Sequence, residues 1–307
     1  MHPVTKSLID RTPERVRPVA VLALRTIDDS INDRVPGLAA EIAFYVLLSL
    51  APLLLTILGI VGFVTDSLDA QVQADLVDRL VTVAEAVFAP EIAEGPIRRL
   101  LIDLLSEGRG DVAAIGFLAT LFSASRAMRV LATAIRLAYD LEETRTAWNQ
   151  RLWGLGLTLG GLAVSLLLVP FLVAGPRFGV TLAEWLPIDF GVAQVWAALY
   201  WPTALVVATA LVASTYHLVA PWWTPWRRDL PGAALAVATW LAGTFGLRIY
   251  LAAQFDSESL YGQFSTLLAG LLWLWLTGGA ILLGAEFNAE MERIWPSEHT
   301  KPGAPTG

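Results

Sequence analysis

The sequence predicts an all-α membrane protein: a bundle of six transmembrane helices with additional amphipathic helices. Hydrophobic residues make up 55% of the chain, charged residues only 16%, and the mean hydropathy is +0.58. A soluble domain carries about 25% charged residues. Several apolar runs also reach about 20 residues, the helical length that crosses a hydrocarbon core of about 30 Å.

Residues 1–36 form a basic segment that precedes the first apolar run. Its apolar residues recur at helical spacing: Val16, Ala20, Ala23, Ile27 and Ile31. This pattern predicts a cytoplasmic amphipathic helix on the membrane surface. A solvated helix packed on the bundle would give the same pattern.

The membrane domain is expected over residues 37–295. Its spans are predicted at about 38–64, 112–138, 152–175, 192–219, 231–253 and 265–288. Three prolines inside these runs are candidates for helix kinks around a transport site: Pro52, Pro170 and Pro202. In the third span, Gly156 and Gly160 have the GxxxG spacing that allows close helix contact in lipid.

The insert at 65–111 carries ten acidic residues against four arginines. Its apolar residues follow helical spacing in two stretches, with Pro96 suited to a first helical turn. We therefore predict two amphipathic helices on or over the outer end of the bundle. Residues 296–307 are predicted to be a disordered cytoplasmic tail.

The distribution of Lys and Arg orients the predicted spans. The segment before the first span has six of these residues and 126–151 has five, whereas 176–191 has one and 254–264 has none. Basic residues concentrate in cytoplasmic connections. Both termini are therefore predicted in the cytoplasm.

The sixth span has two specialised faces. Small and weakly polar side chains form one helical stripe: Thr266, Gly270, Thr277, Ala280, Gly284 and Asn288. Such a stripe lets a neighbouring helix approach closely. Glu286 and Glu290 are i,i+4 neighbours on another face. This helix is therefore expected inside the bundle, with neighbours on both sides.

Ionisable side chains from three spans are predicted to meet near the cytoplasmic side. Because an unpaired charge in lipid costs several kcal/mol, we expect Glu41 and Glu286 to pair with Arg126 and Arg129. One hypothesis is an inward-facing polar cavity for a charged substrate, also involving Tyr45, Ser125, Asn288 and Glu290. The other is a static ion-pair network that fixes helix register.

Composition argues against several other functions. The chain has no cysteine and three histidines, so a thiolate or histidine-rich metal centre is not expected. A net charge of −7 argues against nucleic acid as a partner. No phosphate-binding loop, cofactor motif or catalytic triad spacing is present. We therefore expect no cofactor and no enzymatic activity.

Three blocks resemble the YihY/BrkB family of bacterial inner-membrane proteins. They are AAEIAFYVLLSLAPLLLTILGIVGF at 39–63, SASRAMRVLATAIRLAYD at 123–140 and LYGQFSTLLAGLLWLWLTGGAILLGAEFNAEMER at 260–293. The resemblance implies six spans and a transport or lipid-handling role. A ribonuclease label has also been attached to the family, but the residues here lack the clustered ligands of a metal-dependent nuclease.

Two functional hypotheses follow from the sequence. The first is a plasma-membrane protein that transports or accommodates an amphiphilic or ionic substrate, such as a lipid or envelope precursor, with membrane lipids as its partners. The second is a non-transporting scaffold whose buried charges only hold the helices together. A polar cavity, or a groove open to lipid beside the sixth span, would favour the first hypothesis.

Overall fold

A computed structural model describes residues 17–65, 70–85, 93–106, 110–141, 146–175, 192–220, 225–254 and 262–296. Within these ranges every regular element is helical, which confirms the all-α prediction. Residues 1–16 of the basic segment and 297–307 of the predicted disordered tail lie outside this description.

Six of the helices are long. They are α2 (Val35–Thr65), α5 (Gly110–Ala138), α6 (Ala147–Ala174), α7 (Val192–Val219), α8 (Leu230–Gln254) and α9 (Gly262–Ile294). Among the described residues, five of these helices, α2, α5, α7, α8 and α9, contain stretches with the length and hydropathy of membrane spans. Helix α6 has 28 residues and no charged residue after Arg151, so the count of six spans fits the structure.

The outer surface of the long helices is apolar. Large hydrophobic side chains are exposed on every one of them, including Leu54, Phe122, Leu166, Val206 and Leu268. A soluble protein rarely leaves so much contiguous apolar surface in water. This surface therefore faces lipid, and the bundle is that of an integral membrane protein.

The larger buried cluster lies where α5 and α9 end. Residues from α2, α5, α7, α8 and α9 form a single buried cluster here, which is rich in alanine. Small side chains let the helix backbones approach closely, and dispersion contacts replace the hydrophobic driving force that lipid does not provide. Helix α9 contacts α2, α5 and α8, so it occupies the interior position that its two faces predict.

Helix α1 (Arg17–Asn32) lies against α9 at this end. It turns Leu22, Thr26 and Ser30 towards the bundle, and both hydroxyls hydrogen-bond the backbone one turn earlier. An adjacent face exposes an apolar stripe that includes Ile27 and Ile31. The helix is thus packed on the bundle while offering an apolar face to the membrane interface.

Two short helices from the insert cover the far half of α2. Helices α3 (Ala70–Glu85) and α4 (Arg98–Ser106) are amphipathic, as the sequence predicts, and a π-turn at Ala93–Ile97 leads into α4. Their buried apolar residues pack together and against Leu58: Val77, Val81 and Leu101. Arg98 bridges the two helices through Asp78, at 2.8 Å.

Helices α2, α6 and α7 continue without a break through Pro52, Pro170 and Pro202. Although the spacing of Gly156 and Gly160 allows close helix contact, no other described helix packs against either glycine. A Cβ at either position would meet nothing within 4 Å. These glycines face outward, because α6 contacts α5 through Gly154 instead.

The later part of the small-residue stripe of α9, from Thr277 to Asn288, packs against α8. A side chain at Gly284 would collide with the carbonyl oxygen of Gly232 and with Tyr216 Oη. Two turns before Gly284 on α9, the Thr277 hydroxyl accepts a hydrogen bond from Trp240 Nε1 of α8 at 3.0 Å. The two helix backbones are therefore in direct contact at this crossing.

We expect Gly284→Ala to destabilise the protein by about 1–3 kcal/mol, because the added methyl group overpacks the α8–α9 contact. Gly270→Ala, on the same helix, is the matched control, since a Cβ there meets nothing within 4 Å. Thermal unfolding of both variants in detergent measures the difference. Equal melting temperatures would contradict the close approach.

Candidate functional site

A groove opens between α2, α5 and α6. It encloses a cavity of about 230 Å³ and is lined by Leu38, Glu41, Arg126, Arg129, Val130, Thr133 and Gln150. The α5 residues among them recur at i, i+3, i+4 and i+7, so they lie on one helix face. The structure thus brings together three of the predicted cavity residues, Glu41, Arg126 and Arg129.

The two groove arginines are held by neutral groups. The guanidinium of Arg126 lies over the Tyr45 ring, with Cζ 5.1 Å from the ring centroid. Arg129 Nε donates to the carbonyl oxygen of Ser125 at 3.4 Å. Arg126 and Arg151 are both close enough for their charges to act on Arg129. The groove is consequently a site of net positive charge.

The predicted pairing of Glu41 and Glu286 with Arg126 and Arg129 is not found. Among the residues that the structure describes, no ion pair joins any of these four side chains to another of them. Glu41 is exposed at the groove, whereas Glu286 is only 1% exposed and lies on another part of the bundle. Glu286 lies apart from the other three groups because α9 turns its carboxylates towards α1.

Glu286 and Glu290 belong to an acidic cluster between α1 and α9. The Asp33 carboxyl group lies next to that of Glu286, and the Asp29 carboxyl group lies next to that of Glu290, close enough for a hydrogen bond when one member of the pair is protonated. We call these four residues the carboxyl ladder. Burial is the main cause that raises the pKa of Asp29 to about 6 and the pKa of Asp33 above its ordinary value.

Arg293 is the central cation beside the ladder. Its Nη1 contacts Glu290 Oε1 and lies 3.0 Å from Asp29 Oδ2, while its Nη2 contacts Asp140 Oδ2. Arg25 Nη1 is farther away, 3.8 Å from Glu290 Oε2. One guanidinium therefore joins α1, the end of α5 and α9.

Asn288 and Ser125 have packing roles rather than places in the groove lining. Asn288 Oδ1 accepts from the backbone N–H of Gly232 at 2.7 Å, and its Nδ2 donates to the carbonyl oxygen of Asp229 at 3.0 Å. It thereby satisfies backbone groups at the start of α8. Ser125 is buried, and its hydroxyl donates to the carbonyl oxygen of Phe122.

Several residues of this polar end were missed at the sequence level. Asp29 and Asp33 lie in the predicted surface helix, Arg293 lies at the end of the sixth span, and no function was predicted for His217. His217 Nδ1 lies 3.0 Å from Asp229 Oδ2, a carboxylate that is buried at the start of α8. The i,i+4 spacing of Asp29 and Asp33, matched to Glu286 and Glu290, was the available signal.

A model of the family described as virulence factor BrkB matches residues 26–306 of the chain. The chain belongs to the BrkB family. Among its relatives is YfkH of Bacillus subtilis, named as a ribonuclease-like protein, with 26% identity over 83% of this chain and 89% of YfkH.

Two further relatives of this BrkB family member are named UPF0761 membrane proteins. The Stenotrophomonas maltophilia protein Smlt0865 is 25% identical over 85% of this chain but only 58% of its own length. The Tolumonas auensis protein is 24% identical over 89% of this chain and 85% of its own length. No solved structure matches the chain.

In this BrkB family member, Asn288→Ala should lower the free energy of unfolding by about 1–3 kcal/mol. The substitution leaves the Gly232 N–H and the Asp229 carbonyl buried without their side-chain partner. Asn149→Ala on the exposed start of α6 is the control. Thermal unfolding in detergent provides the measurement, and equal effects of the two substitutions would contradict the bridging role.

The raised pKa of Asp29 makes stability depend on pH. The folded protein holds this proton more tightly than the unfolded chain, where the ordinary pKa is 3.8. The stabilisation is therefore fully present below about pH 4 and is lost as pH rises through about 6. Melting temperatures measured from pH 4 to 8 should show this decline, and Asp29→Asn should flatten it.

Proposed function

We propose that this BrkB family protein transports or accommodates an amphiphilic substrate with an anionic headgroup, such as a lipid or an envelope precursor. The groove between α2, α5 and α6 would receive the headgroup. Lipid around the bundle would receive the acyl part, since the surface of the long helices is apolar. The substrate would thus have a polar and an apolar environment side by side.

The positive charge of the groove is the observation that carries this proposal. Arg126 and Arg129 line the same cavity, and neither forms an ion pair within the described ranges. Arginine in an apolar setting binds phosphate and carboxylate oxygens through several N–H groups at once. An anionic headgroup is the ligand that would neutralise both charges.

Tyr45 and Gly154 help to position the two groove arginines for such a ligand. The Tyr45 ring holds the Arg126 guanidinium in place through a cation–π contact. The absence of a side chain at Gly154 leaves room for the aliphatic part of Arg129, because a Cβ there would collide with Arg129 Cγ. Both guanidinium groups are therefore positioned before any ligand arrives.

We further propose that the protein lies in the inner membrane of a bacterium with both termini in the cytoplasm. The excess of Lys and Arg before the first span and in the connection around 126–151 supports this orientation. In that orientation the groove opens towards the inner leaflet. Its ligand would then be a lipid or precursor made in the cytoplasm.

A scaffold function is the second candidate, and Asn288 favours it. Both ends of this amide are used by the backbone of α8, and Glu292 lies 3.2 Å from Arg228. This part of α9 holds helices together. If all the buried polar groups only hold helices together, the protein needs no substrate. The scaffold and transport functions therefore differ in whether the groove binds a ligand.

We do not propose a nuclease activity, although the relative YfkH carries a ribonuclease-like name. Three histidines and no cysteine leave few ligands for a hydrolytic metal, and within the described part of the chain no group of three or more His, Asp or Glu side chains is arranged so that it could hold a metal ion. A net charge of −7 also disfavours RNA.

Replacing both groove arginines with glutamine tests the proposal. We expect Arg126→Gln with Arg129→Gln to weaken binding of short-chain phosphatidylglycerol at least tenfold, because each lost charge-assisted hydrogen bond contributes about 1.5–3 kcal/mol. Binding of phosphatidylcholine should change little. Titration of the detergent-purified protein, followed by native mass spectrometry, measures both affinities.

Arg248→Gln is the matched control, since Arg248 is an exposed arginine on α8 away from the groove. Transport is tested separately in liposomes that contain a panel of labelled anionic and zwitterionic lipids and ions. Wild-type protein is compared with the double variant and with Glu286→Gln. Unchanged phosphatidylglycerol binding in the double variant would remove the proposed ligand site and leave the scaffold function.

A further inference from the structure

The carboxyl ladder is a pair of like-charged rows on two antiparallel helix segments. Asp29 and Asp33 are i,i+4 neighbours at the end of α1, and Glu286 and Glu290 are i,i+4 neighbours on α9. The rows meet in antiparallel order, so that Asp33 faces Glu286 and Asp29 faces Glu290. Repulsion between four carboxylates would push α1 away from α9 if all were ionised.

Of the two carboxyl pairs in the ladder, Asp33–Glu286 has surroundings that stabilise negative charge less than those of Asp29–Glu290 do. Glu286 is 1% exposed, and no hydrogen-bond donor within the described ranges reaches its Oε2 atom. Arg293 forms ion pairs with Asp29 and Glu290, but none with Asp33 or Glu286. An ionised carboxylate only accepts hydrogen bonds, so two ionised carboxylates in contact cannot satisfy each other.

The groups that face this pair come from three parts of the bundle. They are Asp29 on α1, Tyr139 and Asp140 after α5, and Glu290 and Arg293 on α9. Arg293 is the one cation in this set, and it already contacts three other carboxylates. A group that would neutralise the pair must therefore come from outside this set, and the smallest such group is a proton.

We propose that Asp33 and Glu286 form a proton-binding site and that the shared proton keeps α1 docked on the bundle. When one carboxyl group is protonated, its O–H donates to the other, and one negative charge is removed from the ladder. Protonation also lowers the cost of burying Glu286 Oε2. This atom either carries the proton and donates it in a hydrogen bond, or belongs to an uncharged carboxylic acid.

The turn between α1 and α2 is where the backbone would bend if α1 moved away from α9. Only Asp33 and Arg34 separate the two helices, and Arg34 has a left-handed backbone conformation with φ of 57°. The proton is bound more tightly in the docked state than in the undocked state. Docking is therefore favoured at low pH and weakens as pH rises through the titration of the pair.

Infrared difference spectroscopy detects the proton directly. At pH 7 the wild-type protein in nanodiscs should show the carbonyl stretch of a protonated carboxylic acid, and Glu286→Gln and Asp33→Asn should each reduce this band. Glu41→Gln, at the exposed groove glutamate, should leave it unchanged. Absence of the band from the wild type, or its full retention in both ladder variants, would overturn the proposal.

Cysteine labelling detects the docking. The chain has no cysteine, so a single reporter needs no other substitution. Ser30→Cys places a thiol on the buried face of α1, and Ala23→Cys places one on the exposed face. The rate of maleimide labelling at Ser30→Cys, divided by that at Ala23→Cys, should rise at least tenfold from pH 5 to pH 9.

The ladder variants give a second outcome in the same assay. Glu286→Gln and Asp33→Asn each replace a carboxyl group by a neutral amide that can donate to its partner. In either background the labelling ratio should stay low and lose most of its pH dependence, the remainder being the loss of the Asp29 proton near pH 6. A ratio that rises with pH as in the wild type would show that other groups control docking and would overturn the proposal.

Discussion

A charged or amide side chain in the apolar part of a membrane costs several kcal/mol unless protein groups replace the water that it loses. In this protein that constraint acts on the last three turns of α9. Glu286, Asn288, Glu290 and Glu292 are all buried there. Each therefore needs a partner from another helix, and α1, the end of α5 and the start of α8 provide those partners.

The packing at this end follows from that need. Asn288 reaches the backbone of α8 only because Gly232 and Gly284 let the two helices touch. Arg293 reaches α1 and the turn after α5 from a single position. Alanine dominates the buried cluster around these contacts, since larger side chains would keep the polar partners apart.

The groove has the opposite character. Its arginines rest on an aromatic ring and a carbonyl oxygen, and the cavity remains open beside them. In the described parts of the chain, Arg293 and Arg228 form ion pairs with carboxylates at the α9 end, whereas Arg126 and Arg129 form none in the groove. A bundle with this division has one region that fixes helix positions and another that is suited to an external anion.

The sequence by itself determined the class of protein and much of its helical architecture. Membrane helices satisfy their backbone groups locally, so length, hydropathy and spacing suffice to predict helices such as α5 and α9. The small-residue stripe of α9 was also readable, because its period is a property of one helix. The GxxxG spacing of Gly156 and Gly160 permits a close contact without specifying a neighbour, and no described helix packs against these two glycines.

Only the tertiary structure decided which charges meet. Glu41, Arg126 and Glu286 have similar predicted depths, and depth alone predicted that they would pair. The rotation of α9 about its axis directs Glu286 towards Asp33 on α1, and the crossing of α2 with α5 places Glu41 at the groove instead. Helix rotation and crossing depend on side-chain packing between segments that are far apart in the chain. The residue pattern of a single helix does not specify that packing.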